Sequence, residues 1–261
     1  NILVTVQGFI FKSSEKRNLK IINRILIEKK ILAKAKNIGV RSDEMVDEIK
    51  KINPYSNLYF HNYPFNIPDF FKTEDDEEIY DLVYFGRVCK DKGIEDILKV
   101  VYLLRYEKPE LKVLIIGAVS NSYKKNLFKI IENYEISNNI IFTGFLKTQD
   151  EVHSLAVKAK ICIFPTYHDN IPGTIIESMY LKLPIVAYNT GGIPELNKNT
   201  YCVETVAKKN IESLKNKVVF LLDNSEKRYE LAHKAYEEAK RLYNNYEVKS
   251  KLIEIYKKIN N

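Results

Sequence analysis

Six short stretches of the chain are apolar at nearly every position: 2–6, 82–85, 112–116, 139–142, 160–164 and 184–187. Continuous runs of this length, without a polar residue at every second position, predict strands covered on both faces, as in a parallel sheet. Between the later runs lie stretches with helical periodicity, at 93–106, 122–134, 148–157 and 174–181. The alternation of strand and helix predicts a doubly wound α/β domain from about 79 to about 223, followed by helices alone at 225–243 and 246–259.

The region before it is shorter. It holds the first apolar run, a basic helical stretch at 22–35 and the segment NIGVRSDEMVDEIKK. A complete doubly wound domain usually needs ~100 residues or more, so a lobe of these 70 residues is expected to be incomplete. The chain opens on Asn1 directly into a strand pattern, and on that ground is expected to begin in mid-protein. Residues 61–78, HNYPFNIPDFFKTEDDEE, combine two prolines with an acidic run and predict the boundary between units. The expected division is 1–70, 71–243 and a final helix at 244–261.

Composition narrows the class. Hydrophobic residues make up 45% and charged residues 29%, which excludes wholesale disorder and fits a globular protein. The net charge of +7 comes from 41 Lys and Arg against 34 Asp and Glu that interleave along the chain. Such mixing reads as solvated helix faces rather than a nucleic-acid surface, and no basic-aromatic stripe accompanies it. Cys89, Cys162 and Cys202 stand far apart, which argues against a disulfide framework and for a reducing compartment. No His, Cys and carboxylate cluster has ligand spacing, so no metal and no cofactor is expected. No run approaches the ~18 apolar residues of a membrane span, and no signal peptide is recognisable. The expected location is cytoplasmic.

Three strand ends carry unusual residues. After LVYF comes Gly86-Arg87-Val88-Cys89-Lys90-Asp91-Lys92-Gly93. Ligands of open parallel sheets bind outside the carboxyl ends of strands, where Arg presents a planar fork to phosphate and Lys a compact charge. A basic surface loop is the plain alternative. After ICIF comes Pro165-Thr166-Tyr167-His168-Asp169-Asn170-Ile171-Pro172-Gly173-Thr174-Ile175-Ile176-Glu177, with a helix expected to start near Gly173 or Thr174. The free N–H groups of that start suit an anion. Glu177, one turn in, is placed to reach a sugar hydroxyl or simply to offset the helix dipole. After PIVAY comes Thr190-Gly191-Gly192-Ile193-Pro194-Glu195, where paired glycines permit a close approach or a plain turn. His168 beside Asp169 does not read as a catalytic pair, because adjacent side chains rarely share the needed geometry. Arg41-Ser42, after NIGV, reads as a structural turn.

Taken in order and at their spacing, GRVCKDKG, DNIPGTIIES and LPIVAYNTGGIPE resemble the C-terminal domain of the family 4 retaining glycosyltransferases of GT-B fold. That family shows G-R-x(4)-K-G, then E-x(7)-E, then P-V-V-A-x(3)-G-G-x-x-E, and the likeness covers about residues 79–260. No G-x-G-x-x-G follows a first strand, as a nicotinamide enzyme would require. The resemblance implies a GT-B chain with a Rossmann-like C-terminal domain, an incomplete N-terminal Rossmann-like lobe, and a last helix returning to that lobe.

It also implies roles. Arg87 and Lys92 would hold the nucleotide diphosphate, with Gly86 in the same motif. Asp169 would contact the donor sugar, and Glu177 the ribose. The amides near Gly173, Thr174 and Ile175 would reach sugar or diphosphate, and Phe145 would lie in the base-binding loop. Asp169 stands where the family has Glu, one methylene longer. Gln7 stands where the family often has His; it can hydrogen-bond a sugar hydroxyl but cannot act as a base near neutral pH.

The implied reaction transfers a sugar from a nucleotide-diphosphate sugar to an acceptor hydroxyl with retention, in surface or capsular polysaccharide synthesis. The acceptor would be an oligosaccharide or lipid-linked. The basic stretch IINRILIEKKILAKAK is compatible with contact at the inner membrane face and equally with a buried helix. The competing reading is a truncated or degenerate module that binds nucleotide sugar without turnover.

Overall fold

The computed structural model describes residues 2–9, 11, 19–65, 67–73 and 75–260. Its described strands form two parallel sheets. The smaller contains β1 (Leu3–Thr5), β2 (Asn37–Val40) and β3 (Asn57–Phe60) in that order. Helix α1 (Leu19–Lys34) lies between β1 and β2, and α2 (Asp43–Ile52) between β2 and β3. A small core of Val6, Leu32, Ile38, Val40, Met45 and Ile49 holds this part together.

The larger sheet has six strands: β4 (Tyr80–Phe85), β5 (Val113–Ile116), β6 (Ile140–Gly144), β7 (Ala159–Phe164), β8 (Ile185–Tyr188) and β9 (Glu204–Val206). Their spatial order is β6-β5-β4-β7-β8-β9, so the chain builds outward from β4, then returns and builds outward again from β7. All four residues of β5 and of β8 are buried, as their unbroken apolar runs require. For this strand order, the right-handed hand general to parallel crossovers puts α3 (Ile94–Leu104) and α4 (Asn121–Tyr134) on one face, and α5 (Gln149–Ala156) and α6 (Gly173–Tyr180) on the other. After β9, α7 (Ile211–Asp223) packs on α3, and α8 (Ser225–Tyr243) packs on α6 and α7. Last comes α9 (Asn245–Asn260).

Five elements were not anticipated: the buried strand β2, whose short run is broken by Gly39, two further strands, β3 and β9, and the helices α2 and α7. The two strands are short and carry no continuous apolar run, and β3 is only half-buried at its two central positions. The helices did carry end signals. Ser42 accepts the Met45 N–H at the start of α2, with Asp43 and Glu44 in its first turn and Lys50 and Lys51 in its last. Asn210 does the same for α7 through the Ser213 N–H.

The 61–78 segment forms no helix or strand among its described residues, yet it is firmly tied down. Asn62 Nδ2 donates to Leu242 O at 2.8 Å, and Phe65 exchanges two hydrogen bonds with the Asn245 amide at 3.0 and 2.9 Å. Farther on, Lys72 is buried, its ammonium donating to Ala159 O at 2.6 Å and to Glu78 Oε1 at 2.7 Å. Burial pushes the Lys72 pKa down, and the Glu78 carboxylate opposes that shift.

One backbone position fixes the centre of the larger sheet. Gly93 joins the 3-10 turn Lys90–Lys92 to α3 with φ +68, and its Cα lies against the Pro165 carbonyl just past β7. A side chain there meets both a left-handed backbone and a carbonyl oxygen that cannot move away. Gly93→Ala is expected to lower stability by about 1–3 kcal/mol in denaturant melts. Lys90→Ala, on the exposed side of the same turn, should stay within about 0.5 kcal/mol; equal effects would show that Gly93 is not under this constraint.

Candidate functional site

Where β4 and β7 lie side by side, their following loops leave in opposite directions and a crevice opens at the carboxyl edge. A cavity of about 1210 Å³ occupies that place. Arg87, Lys90 and Lys92 reach it from the loop after β4, and His168, Asp169 and Asn170 from the loop after β7. Thr190 and Gly191 enter from beyond β8. From the smaller sheet come Gln7, just after β1, and Ser42 and Glu44 at the start of α2.

Backbone contacts lock the three loops together. Tyr167 N donates to Asp91 O at 2.8 Å, tying the β7 loop to the β4 loop. Thr190 Oγ1 donates to Thr166 O at 3.0 Å, and Gly192 N to Asn170 O at 2.8 Å, tying the β8 loop to the β7 loop. Gly191, at φ +59, packs its Cα directly onto the Asp169 carbonyl oxygen, a place no Cβ can occupy. Tyr84 OH donates to Arg87 O at 2.7 Å. Burial raises that phenol's pKa, so it remains a donor, and the Arg87 backbone is held while its side chain lies exposed at the cavity.

Lys92 and Asp169 form an ion pair across the crevice, with side chains 16% and 20% exposed. Thr166 Oγ1 stands 3.4 Å from the same Asp169 oxygen. Around this pair the cavity carries Arg87, Lys90, Lys92 and Lys208 against Glu44, Asp91 and Asp169, a balance that favours an anionic occupant.

Glu177 lies outside the cavity lining, one turn into α6. Its Oε2 accepts from Gln149 Nε2 at 2.6 Å and lies 3.3 Å from His153 Nε2. His153 is buried, with the rings of Phe70 and Phe85 each 6.4 Å away, so it is a rigid partner for the carboxylate. The sequence reading did not single out Gln149 and His153. Their i, i+4 spacing on α5 was the available signal, since it puts both on one helix face.

The remaining predicted residues are distributed as follows. Gly173 and Thr174 are the first two residues of α6, whose N–H groups have no carbonyl one turn back in the helix. Thr174 packs over Gly86, and Gly173 lies beside Glu177 Oε1, so a continuous strip runs from Arg87 to Glu177. Ile175 is fully buried and its N–H donates to Pro172 O at 3.1 Å, which turns both groups away from a ligand. Phe145 is 74% exposed and follows β6 at the sheet's edge, two strands from the crevice. Ser42 is occupied in capping α2, and Arg41 stacks on the Tyr63 ring at 4.9 Å.

A family model described as glycosyl transferases, group 1, matches residues 66–241. The poly(ribitol-phosphate) alpha-N-acetylglucosaminyltransferase of Staphylococcus aureus is 24% identical over 253 residues, 94% of this chain and 47% of the relative. The chain thus spans about half the length of that relative. Sucrose-phosphate synthase from Thermosynechococcus elongatus superposes with a TM-score of 0.83 at 18% identity, over 98% of this chain and 67% of the other. Anabaena HepE in complex with UDP-glucose gives 0.81 at 14% identity, over 98% and 72%. At these identities the structural likeness establishes the fold.

The cysteines offer a reporter for the cavity. Cys89 lines it and is half-buried, whereas Cys162 and Cys202 are buried, with thiol pKa values pushed up to about 12, chiefly by desolvation. Brief alkylation at pH 8 is expected to modify Cys89 and spare the other two, as read by peptide mass spectrometry. Equal labelling of Cys162 or Cys202 would contradict the closed core drawn here.

Proposed function

The chain belongs to the group 1 glycosyl transferases and has their GT-B fold, and on that premise we propose that it transfers a hexose-type sugar from a nucleotide-diphosphate donor to an acceptor hydroxyl with retention. The carrying observation is the meeting of Arg87 and Lys92 with Asp169 at the β4–β7 crevice, where an anion and a sugar can be held together.

In this reading Arg87 and Lys92 bind the donor diphosphate and neutralise the charge that grows as it leaves, which is where electrostatic stabilisation lowers a barrier most. An ammonium has three protons, so Lys92 can keep Asp169 and still donate to phosphate. Asp169, fixed by that contact, accepts from a donor-sugar hydroxyl. The leaving phosphate takes the acceptor proton, so the chain itself needs no general base. The amides of Gly173 and Thr174, beside Gly86, face the sugar or diphosphate. Glu177, its other oxygen held by Gln149 and His153, accepts from the ribose hydroxyls, and Phe145 flanks the base. Gln7 reaches the cavity from the opposite side and hydrogen-bonds a sugar hydroxyl.

We assign residues 71–243 to the donor unit, 1–70 to the acceptor side, and 244–261 to the helix joining them. Two separate cores and the Asn62–Leu242 and Phe65–Asn245 bonds at the hinge support that division. Surface or capsular polysaccharide synthesis is the proposed context, with an oligosaccharide or lipid-linked acceptor, and the Staphylococcus relative is named for a polymeric acceptor, poly(ribitol-phosphate). Exposed Leu19, Leu26 and Ile27 among Lys20, Arg24 and Lys30 on α1 support peripheral contact with an anionic, cytoplasm-facing membrane. No described helix is long and apolar enough to cross one.

Calorimetry against a panel of nucleoside diphosphates tests the donor site. Lys92→Ala and Glu177→Ala are each expected to weaken the best binder by roughly 10- to 100-fold, the loss typical of a charge-assisted hydrogen bond. Undiminished affinity in both variants would defeat the assignment. Donor hydrolysis or transfer in the longer protein separates the transferase from a module that only binds.

A further inference from the structure

Asn170 stands apart from every other residue at the crevice. It is 9% exposed, it lines the cavity next to Asp169, and neither its Oδ1 nor its Nδ2 meets a protein partner. Buried polar side chains are nearly always satisfied, and an amide with both halves unpaired calls for a specific cause. Loop mobility does not supply it. The Asn170 carbonyl accepts the Gly192 N–H at 2.8 Å, and the Gly191 Cα is packed against the carbonyls of Asp169 and Asn170. On one side Asp169 is engaged by Lys92, and on the other Ile171 is buried in the core. The backbone is therefore fixed, and because both polar atoms of the Asn170 amide are closed off from solvent, the amide reaches an occupant by turning about its side-chain torsions.

Its neighbours define what it adds. Arg87, Lys90 and Lys92 are donors only, and Asp169 is an acceptor only. Asn170 brings an acceptor and two donors in one planar group. That pattern suits neighbouring hydroxyls of a sugar ring, each of which both donates and accepts. It offers no particular advantage for a diphosphate, which only accepts.

We propose that the Asn170 amide is a specificity-determining group that reads a pair of adjacent hydroxyls on the donor's sugar, beside the one taken by Asp169. The inference rests on the nucleotide-sugar reading above. It assigns the sugar's recognition to a residue that takes no part in holding the nucleotide. In the unliganded protein the amide is a standing cost to stability, relieved when the sugar arrives.

The test compares two ligands on one chain. The panel first identifies the tightest-binding nucleotide sugar; if none binds the parent chain, the donor reading itself fails, and this inference fails with it. Given a binder, calorimetry is run with that nucleotide sugar and with the nucleoside diphosphate it contains, on the parent, Asn170→Ala and Asn170→Asp. Both variants should weaken the nucleotide sugar by roughly 5- to 20-fold, the range for losing one or two hydrogen bonds. Nucleoside diphosphate affinity in Asn170→Ala should stay within about twofold. Melting of Asn170→Ala should be unchanged or raised, because an unsatisfied amide has been removed.

The proposal is overturned if Asn170→Ala binds the nucleotide sugar as well as the parent. It is equally overturned if both ligands weaken together in that variant, since that marks a residue kept for the loop's shape. Asn170→Asp, isosteric with the parent, serves as the second variant should the alanine form fail to fold. In that case, parental affinity for the nucleotide sugar in Asn170→Asp rejects the proposal, and selective loss relative to the diphosphate supports it.

Discussion

Parallel pairing of β4 with β7, Tyr80 against Ala159 and Val83 against Cys162, makes two segments far apart in the chain end at the same edge of the sheet, and the crevice depends on it. Each strand is followed by a loop rather than a tight reversal, because a parallel neighbour has to be reached by a crossover. The loops therefore project beyond the sheet and meet only where the winding changes direction. Gly93 lets the β7 loop rest on the start of α3, and Gly191 lets the β8 loop rest on the β7 loop. The Lys92–Asp169 pair forms within that frame, with neither side chain wholly buried.

That partial exposure suits a binding site. A fully buried pair is costly to open, whereas a pair in free solvent is worth little. At 16% and 20% exposure, Lys92 and Asp169 hold each other in place and remain able to exchange part of that contact for a ligand. Glu177 is treated in the same way by Gln149 and His153, so the two carboxylates assigned to the donor are oriented before it arrives. Preorganised groups of this kind lose little freedom on binding. Asn170 is the counterpoint, a buried amide left for the occupant to satisfy.

The two sheets differ in how far they stand alone. The larger has strands covered on both faces and a broad core that includes Phe65 and Phe70 from the connecting segment. Among the described residues the smaller has three strands and a core of six buried side chains, and α1 leaves Leu19, Leu26 and Ile27 exposed. Its contribution to the crevice is nonetheless direct, through Gln7, Ser42 and Glu44. Glu195 helps fix its position by accepting the Asp43 N–H at 2.6 Å, while Lys198 reaches Asp43 Oδ2 at 2.6 Å.

The sequence by itself settled the elements whose signal is local. Unbroken apolar runs marked β4, β5, β7 and β8, because a strand buried on both faces tolerates no polar alternate. Helical spacing marked α3 through α6, and the motif order placed Arg87, Lys92 and Asp169 at strand ends. Short strands such as β3 and β9 escaped, since a few residues without apolar continuity carry almost no period to detect. The tertiary structure decided which strand ends adjoin. It set Lys92 against Asp169, took Ile175 into the core, and left Phe145 at the sheet's edge. It also gave Glu177 its two partners on α5 and left the Asn170 amide without one. Periodicity reports which face of an element is covered, but the partner of a given side chain depends on packing between segments far apart in the chain.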